Sequence, residues 1–279
     1  LDDAVPVQYG YFVRDVLRGD LGTSLYTNRP VTQDIVQFLP ATLELVLAAM
    51  AFAILIGIPL GLVTAVWRNR WPDYVSQVFA IGAISMPRFF LGLLLQLCFA
   101  MWLYWLPLGG RLPIIVIPPP HVTGFLTIDS VLAGDWNALQ LSLKHLSLPA
   151  IAMSLSPLAT IMRMMRSSTI EVMQQDYVMT ARALGLPRSK IILKYVARNA
   201  VSATLTVIGL YFGWLLGGTV LVETVFDWPG LGLYATKAIV SQDMMPVIGV
   251  ALVVGLMFVI ANLVIDVLYG VINPKVRYE

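Results

Sequence analysis

ATLELVLAAMAFAILIGIPLGLVTAVW, residues 41–67, is long and apolar enough to cross a lipid bilayer as one helix, and Arg68 and Arg70 close it. Crossing hydrocarbon takes roughly 20 mostly apolar residues in a helix, because no water is present there to satisfy backbone N–H and C=O groups. Four further stretches meet that requirement. Residues 74–106 are long enough but are broken at Pro87, with Arg88 beside it; 146–162 continue into Met165 and end in arginines; 201–222 and 245–271 complete five spans. Composition agrees with this reading. The chain is 58% hydrophobic and only 12% charged, with mean hydropathy +0.79, whereas a soluble domain carries about 25% charged residues. The fold class is therefore all-α, a polytopic membrane helical bundle.

The basic residues sort by loop, and that sorting sets orientation. One side holds Arg68, Arg70, Arg163, Arg166, Arg182, Arg188, Lys190, Lys194, Arg198, Lys275 and Arg277, eleven in all. The other holds six (Arg14, Arg18, Arg29, Arg111, Lys144 and Lys237) over longer segments, and Arg88 falls within a span. The richer side is expected to be cytoplasmic, which puts the C-terminus inside and residues 1–40 outside. A net charge of +2 gives no reason to expect a nucleic-acid partner. The chain opens on Leu1 rather than methionine, without a signal peptide. An external segment of forty residues needs something upstream to carry it across, so a sixth span before Leu1 is expected.

Residues 1–40 mix aromatics with charges of both signs and suit short amphipathic helices on the outer membrane surface. The remainder, 41–279, is the membrane domain, with long external loops at 107–145 and 223–243. Pro118, Pro119 and Pro120 stiffen the first loop, and a short external helix is expected around Asp135, Trp136 and Leu141. Cys98 is the only cysteine, in an apolar run, which excludes a disulfide framework and favours a packed thiol.

Between the third and fourth spans lies DYVMTARALGLPRSKIILKYVARNA, residues 176–200, with five basic residues and one acid. Ser168 and Glu171 have the spacing of a capping box, which places a helix start there. Gly185 suits the left-handed residue that ends this helix, and Pro187 suits the start of the next. Coupling helices are thus expected over about 168–200, with a Gly tip. Charge alone suits a solvated loop, but Thr180, Ala181 and Ala183 offer a low surface that a partner's groove could approach. A glycine-centred tip between two ordered helices suits a docking element that carries force between subunits.

TARALGLPRSKIILKYVARNA resembles the cytoplasmic coupling motif of the inner-membrane permeases of bacterial ABC importers, and more narrowly the first permease type of the oligopeptide/dipeptide/nickel permease family. Residues 39–45 (LPATLEL), 57–62 (GIPLGL), 222–232 (VETVFDWPGLG) and 266–278 (DVLYGVINPKVRY) carry the same resemblance, which extends from about Val7 to the end. Two departures stand out. The acidic-Ala-Ala opening of the motif reads Met179-Thr180-Ala181, and Ala203 stands where many relatives have a proline.

The resemblance implies a permease subunit forming half of a translocation pathway for peptides, or for a related solute such as a nickel complex. It implies a second homologous permease, an external substrate-binding protein and two cytoplasmic ATPases that bind ATP and Mg. Those ATPases would be coupled through Thr180, Ala181, Arg182, Ala183, Gly185 and Pro187. In this reading the chain is a multi-pass protein of the bacterial inner membrane, surrounded by lipid, with no cofactor or catalytic residue of its own. The sequence contains no G-x-x-x-x-G-K-[ST] run to cradle phosphates. An ion-driven secondary transporter is the competing class; it calls for intramembrane acids near the midplane, whereas the acids here fall toward span ends.

Among path residues, Arg88 beside Pro87 is the most informative, since a cation at membrane depth costs several kcal/mol without water or a partner. Two readings of it are open: contact with cargo along the pathway, or an internal pair with Glu44 or Glu223 or snorkelling to an interface. Glu223, Phe226 and Trp228 belong to a segment that Pro229, Gly230 and Gly232 keep from regular helix. It is read as an interfacial turn or, by family resemblance, an external gate. His121 and His145 are expected to be surface residues. Asp266, followed by Tyr269, suits a helix-packing hydrogen bond.

Overall fold

A computed structural model describes residues 4–272. Lys275 and Arg277 lie outside the described residues, as do the side chains of Asp266 and Tyr269. The described residues form helices, with one isolated antiparallel bridge between Thr23 and Pro30. Among the described residues four helices are long and apolar enough to cross a membrane: α2 (Val31–Val66), α6 (Trp136–Val172), the continuous helix Arg188–Gly217, and α12 (Met244–Ile272) in its stretch Met244–Ile265. A fifth crossing exists if α3 (Trp71–Ser85) and the helix Arg88–Trp102, bent by 106° at Pro87, form one span. Met86 is extended, as a residue before proline must be when the ring excludes helical backbone. The break at Pro87 read in the second apolar run is therefore present. Its second half begins as α4 (Arg88–Leu95) and widens into a π-helix over Gln96–Trp102.

α2 and α6 form the centre. They run side by side in the same direction, with Gly57 against Leu158 and Ile161 and, one turn on, Gly61 against Met162 and Met165. Two glycines four apart let the backbones approach closely, which in lipid replaces the missing hydrophobic drive between helices. In the membrane-crossing window of α6, 72% of residues are buried, against 33% for α2, so α6 is the axis of the bundle. The helix Arg188–Gly217 comprises α8 (Arg188–Lys190), a π-helical turn (Ile191–Ala197) and α9 (Arg198–Gly217). It packs antiparallel to α6, through Met165 with Thr204 and Thr160 with Tyr211. α12 lies along its other side, with Phe258 against Gly213 and Ile265 against Gly209.

Several element ends differ from the apolar runs. α2 begins at Val31, inside the expected external segment 1–40, because Val31 and Ile35 are buried against Leu231, Tyr234 and Val250. α1 (Val5–Leu17) precedes it and buries none of its side chains. The expected third span, 146–162, is the middle of α6. The helix expected around Asp135–Leu141 is its first turns, with the Asp135 carboxylate accepting from the Ala138 N–H at 2.9 Å. The separate short helix in that loop is α5 (Leu126–Leu132). No helix starts at Ser168: Ser168 and Glu171 belong to the end of α6, and the next helix, α7 (Asp176–Ala183), starts after Gln175. The expected fourth span ends early, at Gly217, and α10 (Val220–Val225) and α11 (Leu231–Val240) follow as short helices.

Candidate functional site: glycine-tipped hairpin, flank cavity and buried-carboxylate end

α7 ends in a Schellman turn. The Gly185 N–H donates to Arg182 O at 3.0 Å and the Leu186 N–H to Ala181 O at 3.3 Å, with Gly185 at φ +72°. A Cβ at Gly185 would meet nothing within 4 Å, so the left-handed backbone alone selects glycine there. Pro187 stands immediately before the next helix, in extended conformation, as its N-cap. Val178, Ala181, Ile191 and Val196 form a small buried core with Val172, Met173 and Leu186 packed against it, so the hairpin is a body with its own apolar interior. The Asn199 amide also donates to the Tyr177 hydroxyl at 3.1 Å, pinning α7 to α9.

This geometry corrects one expectation. The sequence suggests a low outer surface that includes Ala181, but Ala181 faces inward, because a turn of 3.6 residues puts it on the same side as Val178. Thr180, Arg182, Ala183, Gly185 and Pro187 are exposed, together with Met179 and Leu184. The outward face is thus Met179, Thr180, Ala183 and Leu184.

The hairpin sits at the same end of the bundle as the turn between α2 and α3. Ala65, Val66, Arg68, Ile170, Met173, Gln174 and Arg182 line a shared cleft of about 260 Å³. That turn is held by Asp73. Its carboxylate accepts from Arg166 Nε at 2.6 Å and Nη2 at 2.8 Å, from the Asn69 backbone N–H at 3.0 Å and from Gln77 Nε2 at 3.0 Å. No local pattern marks Asp73 in the sequence, because its partner Arg166 lies 93 positions away.

Arg88 opens α4 and reaches a cavity of about 740 Å³ on the bundle flank. Its guanidinium lies over Gly218, where Nη1 would stand 2.6 Å from an added Cβ. Of the readings open for Arg88, the internal pair with Glu44 or Glu223 is not formed. Glu44 pairs with Arg111 and accepts from the Thr127 N–H and hydroxyl at 2.8 and 2.6 Å, and Glu223 is fully enclosed elsewhere.

Glu223 locks the opposite end. Oε1 accepts from the Thr42 hydroxyl at 2.8 Å, and Oε2 from the N–H groups of Gly232 and Leu233 at 2.7 and 3.1 Å. Thr42 in turn accepts from the Leu231 N–H at 2.8 Å. A Cβ at Gly230 would lie 2.5 Å from both Glu223 Oε2 and Thr42 Oγ1, so the turn requires glycine there. Phe226 and Trp228 are each 1% exposed. The Trp228 indole donates to Ala41 O at 2.9 Å, and Phe226 O accepts from the Gly110 N–H at 2.8 Å. These aromatics are core pins rather than interfacial groups, since each is fixed by contacts too distant in sequence for local pattern to reveal. His145 corrects the surface reading similarly: it is buried in α6, and its Nδ1 lies 2.8 Å from Gly109 O, where an N–H donates to that carbonyl.

The end opposite the hairpin is tied by further buried carboxylates. Asp243 accepts from the Ser24 hydroxyl and the Leu25 and Tyr26 N–H groups at 2.7, 2.7 and 3.1 Å, and Asp34 from the Thr27 and Tyr234 hydroxyls at 2.6 and 2.9 Å. Burial raises the Tyr234 hydroxyl well above its usual range, and its bond to Asp34 adds to the shift. Asp129 gathers the N–H groups of Val122, Thr123 and Gly124 and the Thr123 hydroxyl. Burial would raise its carboxyl, but these four bonds together hold it below the ordinary range.

Comparison with known proteins adds three findings. Residues 57–278 match the model of the family described as "Binding-protein-dependent transport system inner membrane component". The chain is 46% identical to the "Probable D,D-dipeptide transport system permease protein DdpB" of Escherichia coli, over 99% of this chain and 81% of that protein. It is 43% identical to the "Dipeptide transport system permease protein DppB" of Alkalihalophilus pseudofirmus (100% and 83%), and 38% identical to the "Glutathione transport system permease protein GsiC" of Pectobacterium atrosepticum (100% and 82%). In fold it is similar to a chain of a structure titled "Crystal structure of an amino acid ABC transporter with histidines", with TM-score 0.56 and 14% identity over 85% of this chain and 94% of that one.

Proposed function

The chain belongs to the family of binding-protein-dependent transport system inner membrane components, and on that premise we propose how it carries its cargo. It is a multi-pass inner-membrane permease subunit of an ABC importer, a transport component without an ATPase site of its own. The cargo is a peptide of di- or tripeptide size, and the observation that carries this is the full-length similarity to permeases named for dipeptides.

In this reading the end bearing Arg68, Arg182, Arg188 and Lys190 faces the cytoplasm, in keeping with the excess of positive charge there. Two ATPase subunits, which bind ATP and Mg, receive the outward face of α7 (Met179, Thr180, Ala183 and Leu184) in surface grooves. The enclosed core of the hairpin lets it move as one body, and its continuity with α9 passes that movement into the bundle. Packed helices have discrete arrangements, so closure of the ATPases switches the spans between inward- and outward-facing packings. A second, homologous permease completes the pathway, an external binding protein delivers the peptide to the loops around 107–145 and 223–243, and lipid covers the remaining flank.

Uptake by proteoliposomes tests this. With the second permease, the ATPases and the binding protein present, dipeptide uptake should require internal ATP and survive collapse of ion gradients. Uptake by this chain alone, driven by a proton or sodium gradient, would instead establish a secondary transporter.

A further inference from the structure

Arg88 is, among the described residues, a cation without an acid. Among the described residues the ion pairs are Arg14–Asp15, Arg29–Asp34, Arg111–Glu44 and Arg166–Asp73, and none involves Arg88. The flank cavity it enters has walls from α4, α9 and α12: Gly213, Trp214, Gly217 and Gly218 on one side, Val254 and Phe258 on the other. Ala251 and Phe258 lie about two to four turns into α12, whereas Gly217 ends α9 and Arg88 opens α4, so the cavity joins two helix ends to the body of α12. The glycines remove side chains from the wall where the guanidinium lies, leaving the charge facing open space. An arginine among the apolar walls of a membrane bundle costs several kcal/mol without a partner, and the chain that pairs Arg166 at the hairpin end with two hydrogen bonds leaves Arg88 outside every ion pair among the described residues.

We propose that the cavity between α4, α9 and α12 is a cargo station in which Arg88 receives a carboxylate of the passing peptide while Trp214 and Phe258 cover its apolar part. The inference rests on the peptide reading above. A guanidinium matches a planar carboxylate through paired N–H donors. In a zwitterionic peptide the C-terminal carboxylate is the anionic group common to every sequence, so one arginine serves many side chains. A bond made to cargo and released onward lets the cation remain unpaired between turnovers.

The test uses the complete complex in proteoliposomes and three dipeptides of net charge −1, 0 and +1. Arg88→Gln should lower uptake per ATP hydrolysed by roughly tenfold or more for all three, the size of one hydrogen bond to a charged group. Arg88→Lys should keep most of it, and Arg88→Glu should favour the +1 peptide over the −1 peptide. ATP hydrolysis stimulated by the loaded binding protein should stay within about twofold of the parent throughout. Uptake unchanged in Arg88→Gln overturns the proposal. So does a parallel fall of uptake and stimulated hydrolysis for every peptide, since that assigns Arg88 to an acid of the second permease. If the parent complex takes up none of the three, the peptide reading falls and this inference with it. If the parent transports and the variants match it, the inference alone fails.

Discussion

Arg166 of α6 grips Asp73 of α3 with two nitrogens, at 2.6 and 2.8 Å, so the axis of the bundle is bolted to the turn beside the Gly185 hairpin. Asp73 also caps that turn through the Asn69 N–H, with Asn69 at φ +62°. The carboxylate is 1% exposed and the arginine side chain 23%. A movement passed into α6 would reach α3 through this pair, and α2 directly along the Gly57 and Gly61 seam.

Removing one partner strands the other. Breaking a buried pair costs about 3–5 kcal/mol, and the partial exposure of Arg166 reduces this to about 2 kcal/mol for Asp73→Asn. Thermal unfolding of the purified chain in detergent should show a midpoint lower by roughly 5 °C. The exchanged double variant Asp73→Arg with Arg166→Asp should recover part of the loss. A double variant no better than the sum of the single changes would show that the pair itself contributes nothing.

Two glycines separate packing from propensity. A methyl at Gly61 would stand 2.6 Å from the Met162 carbonyl and 2.7 Å from Met165 Cβ, whereas one at Gly82 meets nothing within 4 Å. Gly61→Ala should destabilise by about 1–3 kcal/mol through overpacking, and Gly82→Ala should be neutral or stabilise by up to about 1 kcal/mol through helix propensity. Size-exclusion profiles and melting of the two variants check this. Equal behaviour would refute a close α2–α6 seam.

At Gly185 the constraint is backbone conformation alone. Gly185→Asn should be tolerated, since asparagine enters the left-handed region readily. Gly185→Val should cost about 1–3 kcal/mol locally, distort the tip, and leave insertion intact while uptake per ATP falls severalfold. Normal coupling in Gly185→Val would remove the hairpin from the mechanism.

Acid should loosen the outer loop. The folded-state carboxyl of Asp129 is held below its ordinary value, so its contribution is present above about pH 4, the unfolded value, and is lost as pH falls through the lower folded one. Protease cleavage within 121–125 should therefore rise below pH 4. Asp129→Asn should be cleaved readily at neutral pH and lose this dependence. An acid-insensitive parent would assign loop order to other contacts.

What the sequence determined is what depends on neighbours along the chain. Apolar length set the spans, Pro87 the break, Gly185 and Pro187 the hairpin tip, and clustered arginines the basic end, because lipid and backbone sterics act residue by residue. The structure alone decided which face of α7 turns inward, where Ala181 went, and which partners the buried charges took. Arg88 could not be paired from sequence because Glu44 and Glu223 both lie at plausible positions. Arg111 and Thr42 claimed them from elsewhere in the fold, just as Ala41 claimed Trp228. The end of α2 at Val31 was likewise set by residues two hundred positions away. Span and turn are local free energies, whereas satisfying a buried charge requires donors that only the folded chain brings together.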